Sequence, residues 1–506
     1  MDNRGWELGM VAGLLVALGA GGAEAAPVAW SQSPPGGLTP AQVPQFVAVT
    51  FDDGFGLEDG GKGGVNDIVD FMSTRKNPGS GNAGTFDGTP VRTTFYLTST
   101  YGADAANRTA WTRAFKDGHE AADHTISHPN GGSLSAGGTA AGQYTVAKWV
   151  SQIKGCKDWL TGPGGITATT ADVVGFRTPF LGYNDNTFAA LTQLGFTYDS
   201  TFPNCFGDGE DGGSCSWPHS LDGPSKDADT LMKKAGAEAI KSHPGLMEVP
   251  VSTVFVPAEL RAKVPAKMPY PSLWEPATGK LGGLDYTILI DAKLSPEDMA
   301  AALKQTLDQH LAGNRAPFVF CAHTFMYSYS SPSSNPDTPS LAIRDARWKA
   351  LSSFITYALS KPEVRMRPVR DIVAWMQKPV ALGGAPAPAD AGTVTAADAG
   401  ATDPVPPRAD AGGATGGAGG TPGTGGAAAR PDAAVTGGSG GRGGSGSGGG
   451  GEGGGSEETG GQAGGPRSSN ASGGCALAAA PAPAGVTVLI VASALWLVRT
   501  RRRRAK

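Results

Sequence analysis

Val47-Ala-Val-Thr-Phe-Asp-Asp-Gly-Phe55 ends an apolar run on two adjacent carboxylates and a glycine. Asp-Asp-Gly alone is commonly a turn. Following an uncharged apolar run, it reads as a buried strand that delivers both acids to a rim, one turned toward the cavity and one beside it. His124-Thr-Ile-Ser-His128 complements it, because in a helical turn the i, i+4 spacing puts two imidazoles on one face. The chain has only seven histidines, so two at this spacing are informative. Two imidazoles and one carboxylate leave a fourth position for water, as in a catalytic metal site. The expected cofactor is a divalent metal, zinc foremost, with the spare carboxylate acting as base.

Working outward, short apolar runs alternate with helical patterns between 43 and 379, which favours an α/β domain over a sandwich or a bundle. Strands are expected at 46–51, 92–98, 119–124, 173–177, 247–254, 286–290, 317–321 and 364–367. Helices are expected at 65–74, 105–116, 144–160, 187–194, 295–311, 340–359 and 369–377. Ser295-Pro-Glu-Asp298 supplies a capping residue, a proline at N1 and acids in the first turn. Asp52, His124, Arg177 and His323 each stand just after an apolar or extended run. In a barrel of parallel strands those positions share the rim at the C-terminal ends. Arg177 beside a carboxylate would hold it ionised and oriented. His323 at a strand end is either a packed core histidine or a proton donor to a departing amine.

Four motifs carry a family resemblance: Thr50-Phe-Asp-Asp-Gly54, Asp123-His-Thr-Ile-Ser-His-Pro129, Gly175-Phe-Arg-Thr-Pro-Phe-Leu181 and Phe320-Cys-Ala-His-Thr-Phe325. With Arg75-Lys-Asn-Pro78, Gly195-Phe-Thr-Tyr-Asp-Ser200 and Pro244-Gly-Leu-Met-Glu-Val-Pro250, they make the segment 43–379 resemble the polysaccharide deacetylases of the NodB-homology, carbohydrate esterase type, closest to insect-type chitin deacetylases. The resemblance implies a distorted (β/α) barrel of about seven strands. It implies Asp53, His124 and His128 as metal ligands, Asp52 as general base, Arg177 as its orienting partner and His323 as general acid. The backbone N–H near Pro179 and Phe180 would help stabilise an oxyanion. Many members tune the acid histidine with an Asp-plus-Trp motif on a later strand, and Met247-Glu-Val-Pro-Val-Ser252 occupies the comparable region without an Asp. Phe180 stands where a Tyr is often found.

Composition divides the rest of the chain. The segment 381–474 is almost entirely Gly, Ala, Pro, Ser, Thr and Asp, too poor in apolar side chains to offset the entropy of ordering, and reads as a disordered tether. The segment 1–25 resembles a secretory signal peptide ending at Ala23-Glu-Ala25. The segment 475–506, with Cys475, an apolar stretch and Arg501 to Arg504, resembles the sorting tails of myxobacterial surface proteins, a hydrophobic segment that would meet the membrane before processing. Export permits disulfides; Cys205 and Cys215 are the leading pair, with Cys156 and Cys321 pairing only if the fold brings them together. A net charge of -4 is small and argues neither for nucleic acid nor for an anionic membrane as a partner. The expectation is a monomer at the cell surface acting on an N-acetylated polysaccharide. The rival readings are a non-catalytic glycan-binding protein on the same barrel, an amidase of small amides, and a surface protein using the metal only for stability.

Overall fold

The computed structural model describes residues 27–55, 64–79, 81–132, 143–228, 239–269, 271–328 and 341–383. The segments 1–25 and 475–506 lie outside these, as does all but the first three residues of 381–474.

Strand β1 (Gln45–Asp53) is buried at every residue, as expected for a strand covered on both faces. It pairs in parallel with β2 (Thr94–Leu97), which continues to β3 (Glu120–Asp123), β4 (Gly175–Phe176), β5 (Tyr198–Asp199) and, after the short β6 (Pro203–Asn204) and β7 (His219–Ser220), to β8 (Met247–Glu248). On its other side β1 pairs in parallel with a later strand, Phe318–His323. Among the described residues these seven strands run parallel along the curled sheet. Two more complete its nine: β7, antiparallel to β8, and the short strand Val364–Met366, parallel to the start of β1.

Between these, β9 (Val251–Ser252) pairs with β6, and β10 (Val254–Phe255), β11 (Trp274–Glu275) and β12 (Lys280–Leu281) form a small antiparallel sheet. Phe318–His323 is therefore β13 and Val364–Met366 is β14. The apolar run 286–290, expected as a strand, instead forms a π-helical turn over Thr287–Asp291. Apolar composition alone does not separate a short strand from a buried helical turn.

Among the described residues the α-helices include α1 (Gly64–Ser73), α2 (Ala105–Lys116), α3 (Val146–Thr161), α4 (Asp185–Gln193), α5 (Pro296–Ala312), α6 (Leu341–Leu359) and α7 (Val369–Gln377). Their ends follow from local chemistry. Asp104 accepts from the backbone N–H groups of Ala106 and Asn107 at the start of α2, and Ser295 with Asp298 forms a reciprocal cap on α5.

Alternation along β1 sorts its side chains. Val47, Val49 and Phe51 pack in one core cluster with residues of α1, α2, α5 and α6, while Phe46 and Ala48 pack in the second with Tyr96, Ala122, Tyr198 and Val319. Thr50 and Asp52 share the parity of the second set. In the β1/β13 register Thr50 lies opposite Cys321 and Asp52 opposite His323. The sheet interior is thus apolar at one end and polar where the strands finish.

Candidate metal and acid–base site

Asp52 and Asp53 are neighbours in a strand and would ordinarily face opposite ways. Asp53, however, adopts φ 71°, a left-handed conformation that breaks the alternation and turns both acids to one site. Gly54 follows at φ 80°, and a Cβ there would come within 2.6 Å of Leu97 Cδ2 and 2.9 Å of the Trp111 ring, so only glycine fits. The Trp111 indole N–H donates to the Gly54 carbonyl at 2.6 Å and pins the turn.

The two histidines reach the site from a loop after β3, not from the helical turn their spacing suggested. Thr125 and His128 both take positive φ, 72° and 53°. Thr125 N–H donates to Asp123 Oδ1 at 2.8 Å, and His128 N–H donates to Thr125 Oγ1 at 3.1 Å. This local hydrogen bonding competes with helix and wins. His128 Nε2 lies 3.2 Å and His124 Nε2 3.8 Å from Asp53 Oδ1, and the three ligand atoms lie within 4.8 Å of one another. His124 Nδ1 contacts the Arg177 carbonyl oxygen at 2.8 Å; because a carbonyl only accepts, Nδ1 carries the proton and Nε2 offers its lone pair.

Among the described residues Asp53 Oδ1 is buried without a hydrogen bond, an arrangement that is costly unless a cation completes it. The donor set of one carboxylate and two imidazoles suits a divalent transition metal such as zinc. Burial pushes the His128 imidazole down to about 4, so it is neutral and able to ligate at neutral pH.

Asp52 faces this cluster with Oδ2, 4.0 Å from His124 Nε2. Its Oδ1 accepts from Arg177 Nη1 at 2.8 Å. Burial would raise the Asp52 carboxyl, but the Arg177 guanidinium, helped by His124, His323 and the Cys321 hydrogen bond, outweighs it and holds the group below the usual carboxylate range. Arg177 is fully buried and satisfied: Nε donates to Ser200 O, Nη2 to Ser200 Oγ, Nη1 also to Thr50 Oγ1, and the guanidinium lies 4.1 Å from the Tyr96 ring centroid.

His323 ends β13, and its Nδ1–H donates to Asp285 Oδ1 at 2.7 Å. Burial works against the charged imidazole, but Asp285, with Asp53 and Asp52 further off, raises it to about 9. The carboxylate that pairs with His323 is therefore Asp285, outside Met247–Ser252, followed by Tyr286 and placed just before the π-helical turn. The one available signal is an acid in an apolar run.

Pro179 and Phe180 lie in a single 3-10 turn after β4, with Phe180 at φ 59°. The Phe180 ring meets His128 edge-on, centroids 4.6 Å apart, and among the described residues its N–H donates to no protein acceptor. Cys205 and Cys215 form a disulfide. Cys156 and Cys321, the conditional second pair, are instead both buried free thiols, bonded to Leu97 O and Asp52 Oδ2 respectively.

Residues 83–198, which include both histidines and Arg177, match the polysaccharide deacetylase family. The match supports the resemblance to NodB-type polysaccharide deacetylases that the motifs carry. It likewise supports a hydrolase of the N-deacetylase kind. It is 28% identical over 173 residues to chitin deacetylase 1 of Bombyx mori, covering 33% of this chain and 27% of that protein. To chitin deacetylase 8 of Bombyx mori it is 23% identical over 351 residues, covering 69% and 74%. A solved structure from Mycobacterium smegmatis, itself assigned as a polysaccharide deacetylase, overlays with a TM-score of 0.39 at 16% identity, covering 68% of this chain and 94% of that one. A family 4 carbohydrate esterase from Streptomyces lividans, solved with acetate, gives a TM-score of 0.28 at 13% identity over 63% and 90%.

Proposed function

We propose that this protein is a polysaccharide deacetylase that hydrolyses N-acetyl groups from N-acetylglucosamine units of a polysaccharide, releasing acetate, with a divalent metal held by Asp53, His124 and His128. One observation carries the reading: Asp52 presents one carboxylate oxygen to the three-ligand cluster while Arg177 holds the other. A purely structural metal site would need no ionised carboxylate beside it.

A bound zinc would act as a Lewis acid on the acetamide carbonyl and lower the pKa of water toward about 7. Around it, Asp52 takes the proton from the attacking water, and Arg177 keeps the carboxylate ionised and aimed. The Phe180 N–H donates to the oxygen on which charge develops. His323, protonated and held through Nδ1 by Asp285, gives its Nε2 proton to the departing sugar nitrogen. The free amine and acetate result.

The 43–379 segment is the catalytic domain in this proposal. The exported surface location rests on the sequence features of 1–25, 381–474 and 475–506. Among the described residues no helix is long and apolar enough to cross a membrane. The kinship with two Bombyx mori chitin deacetylases supports chitin as the first polymer to assay. The deciding experiment measures acetate release by purified, zinc-loaded protein from chitin, peptidoglycan and acetylated exopolysaccharide, with Asp52→Asn as control. Acetate from none of them, with metal bound, overturns the proposal.

A further inference from the structure

Resting on the assignment of Asp52 as base, we propose that Cys321 is a positioning residue, whose thiol holds the reactive oxygen of that base. The register places it: Cys321 lies opposite Thr50 on β13, two residues before His323, so it shares the interior parity of Thr50, Asp52 and His323. It is fully buried and in no disulfide.

Its contacts are specific. The Cys321 thiol donates to Asp52 Oδ2 at 3.1 Å, and its sulfur accepts from Arg177 Nη1 at 3.4 Å. The two Asp52 oxygens are therefore held from different sides, Oδ1 by Arg177 and Oδ2 by the thiol. Oδ2 is the oxygen within 4.0 Å of the ligand His124, the one that would receive the proton of water. Two donors, one at each oxygen, define the plane of a carboxylate, whereas the single Arg177 contact leaves rotation about the last bond.

A thiol suits this place. It is a weak donor, so it orients Oδ2 without occupying it as firmly as an ammonium or guanidinium. Burial and the adjacent Asp52 raise the thiol well above its ordinary range, which keeps the proton on sulfur. An aliphatic side chain of similar size would fill the volume but leave Oδ2 facing carbon, and a hydroxyl would restore the donor.

The test compares full-length, zinc-loaded wild type with Cys321→Val, Cys321→Ala and Cys321→Ser, using acetate release from N-acetylglucosamine oligomers. Cys321→Val and Cys321→Ala should lower kcat about tenfold, equivalent to about 1.4 kcal/mol, with KM and zinc affinity unchanged. Cys321→Ser should recover most of the loss, which a packing role would not allow. Infrared spectroscopy gives a second readout without substrate: the S–H band lost in the wild-type minus Cys321→Ser difference should move to higher wavenumber in Asp52→Asn, because a neutral amide accepts more weakly than a carboxylate. Full kcat in Cys321→Val, a Ser variant as slow as Val, or an S–H band indifferent to Asp52→Asn each overturns the proposal. Absence of acetate from wild type would instead strike the proposed function, while the S–H band would still decide whether the thiol holds Asp52.

Discussion

Asp285 holds His323 twice: one carboxylate oxygen accepts the imidazole Nδ1–H at 2.7 Å and the other accepts the His323 backbone N–H at 2.9 Å. Side chain and main chain are thereby fixed together, and the imidazole is left with Nε2 as its only exchangeable position.

The charge on His323 should follow from this contact. With its folded value raised to about 9 above the ordinary 6.5, the imidazole stays protonated through neutral pH. The contact therefore contributes stability that is complete below about 6.5 and is lost as pH rises through about 9. NMR titration of the metal-free protein should place His323 near that value, and Asp285→Asn should return it toward the ordinary imidazole range. An unchanged His323 titration in Asp285→Asn would refute the contact as the cause.

Removing the base should separate chemistry from binding. Asp52→Asn keeps the shape but cannot take a proton, so kcat should fall by about 10²–10⁴-fold. Asp52 is not among the three clustered ligands, so zinc content should stay near wild type, as atomic absorption would report. Loss of zinc along with activity would reassign Asp52 to the metal.

Zinc should stabilise the fold by linkage, by about 2.7 kcal/mol at a free concentration one hundred times Kd. Thermal melting should rise with added zinc in wild type and not in Asp53→Ala or His128→Ala. An equal rise in those variants would show that the cation binds elsewhere.

Gly54→Ala should damage both stability and the metal site. The added methyl meets Leu97 and Trp111 at a left-handed position, which overpacking and strain together make costly, about 2–4 kcal/mol. Because relief requires shifting the turn that carries Asp53, zinc affinity should drop with the denaturation midpoint. Unaltered zinc affinity would uncouple the turn from the ligand.

Much of the site is legible in the order of residues alone. Asp52, Asp53, His124, Arg177 and His323 are read from strand ends, because burial on both faces of a parallel sheet produces apolar runs whose first polar residues mark the rim. The α5 and α2 boundaries follow from capping chemistry close in sequence. The backbone of 124–128 is not legible in that way, since the i, i+4 spacing fits a helix yet Asp123 and Thr125 hydrogen-bond the chain into a loop.

Which residue types stand at the ends of the strands is written locally, because alternation, apolar runs and caps act over a few residues. What lies across from what is set by long-range packing. Asp285 is 38 residues from His323, and Cys321 is 269 residues from Asp52. Those pairings depend on strand register and on a π-helical turn that no local pattern specifies. The turn at Asp53 shows both at once: its two acids are plain in the sequence, but one left-handed φ, packed in place by Leu97 and Trp111, makes them face a common site.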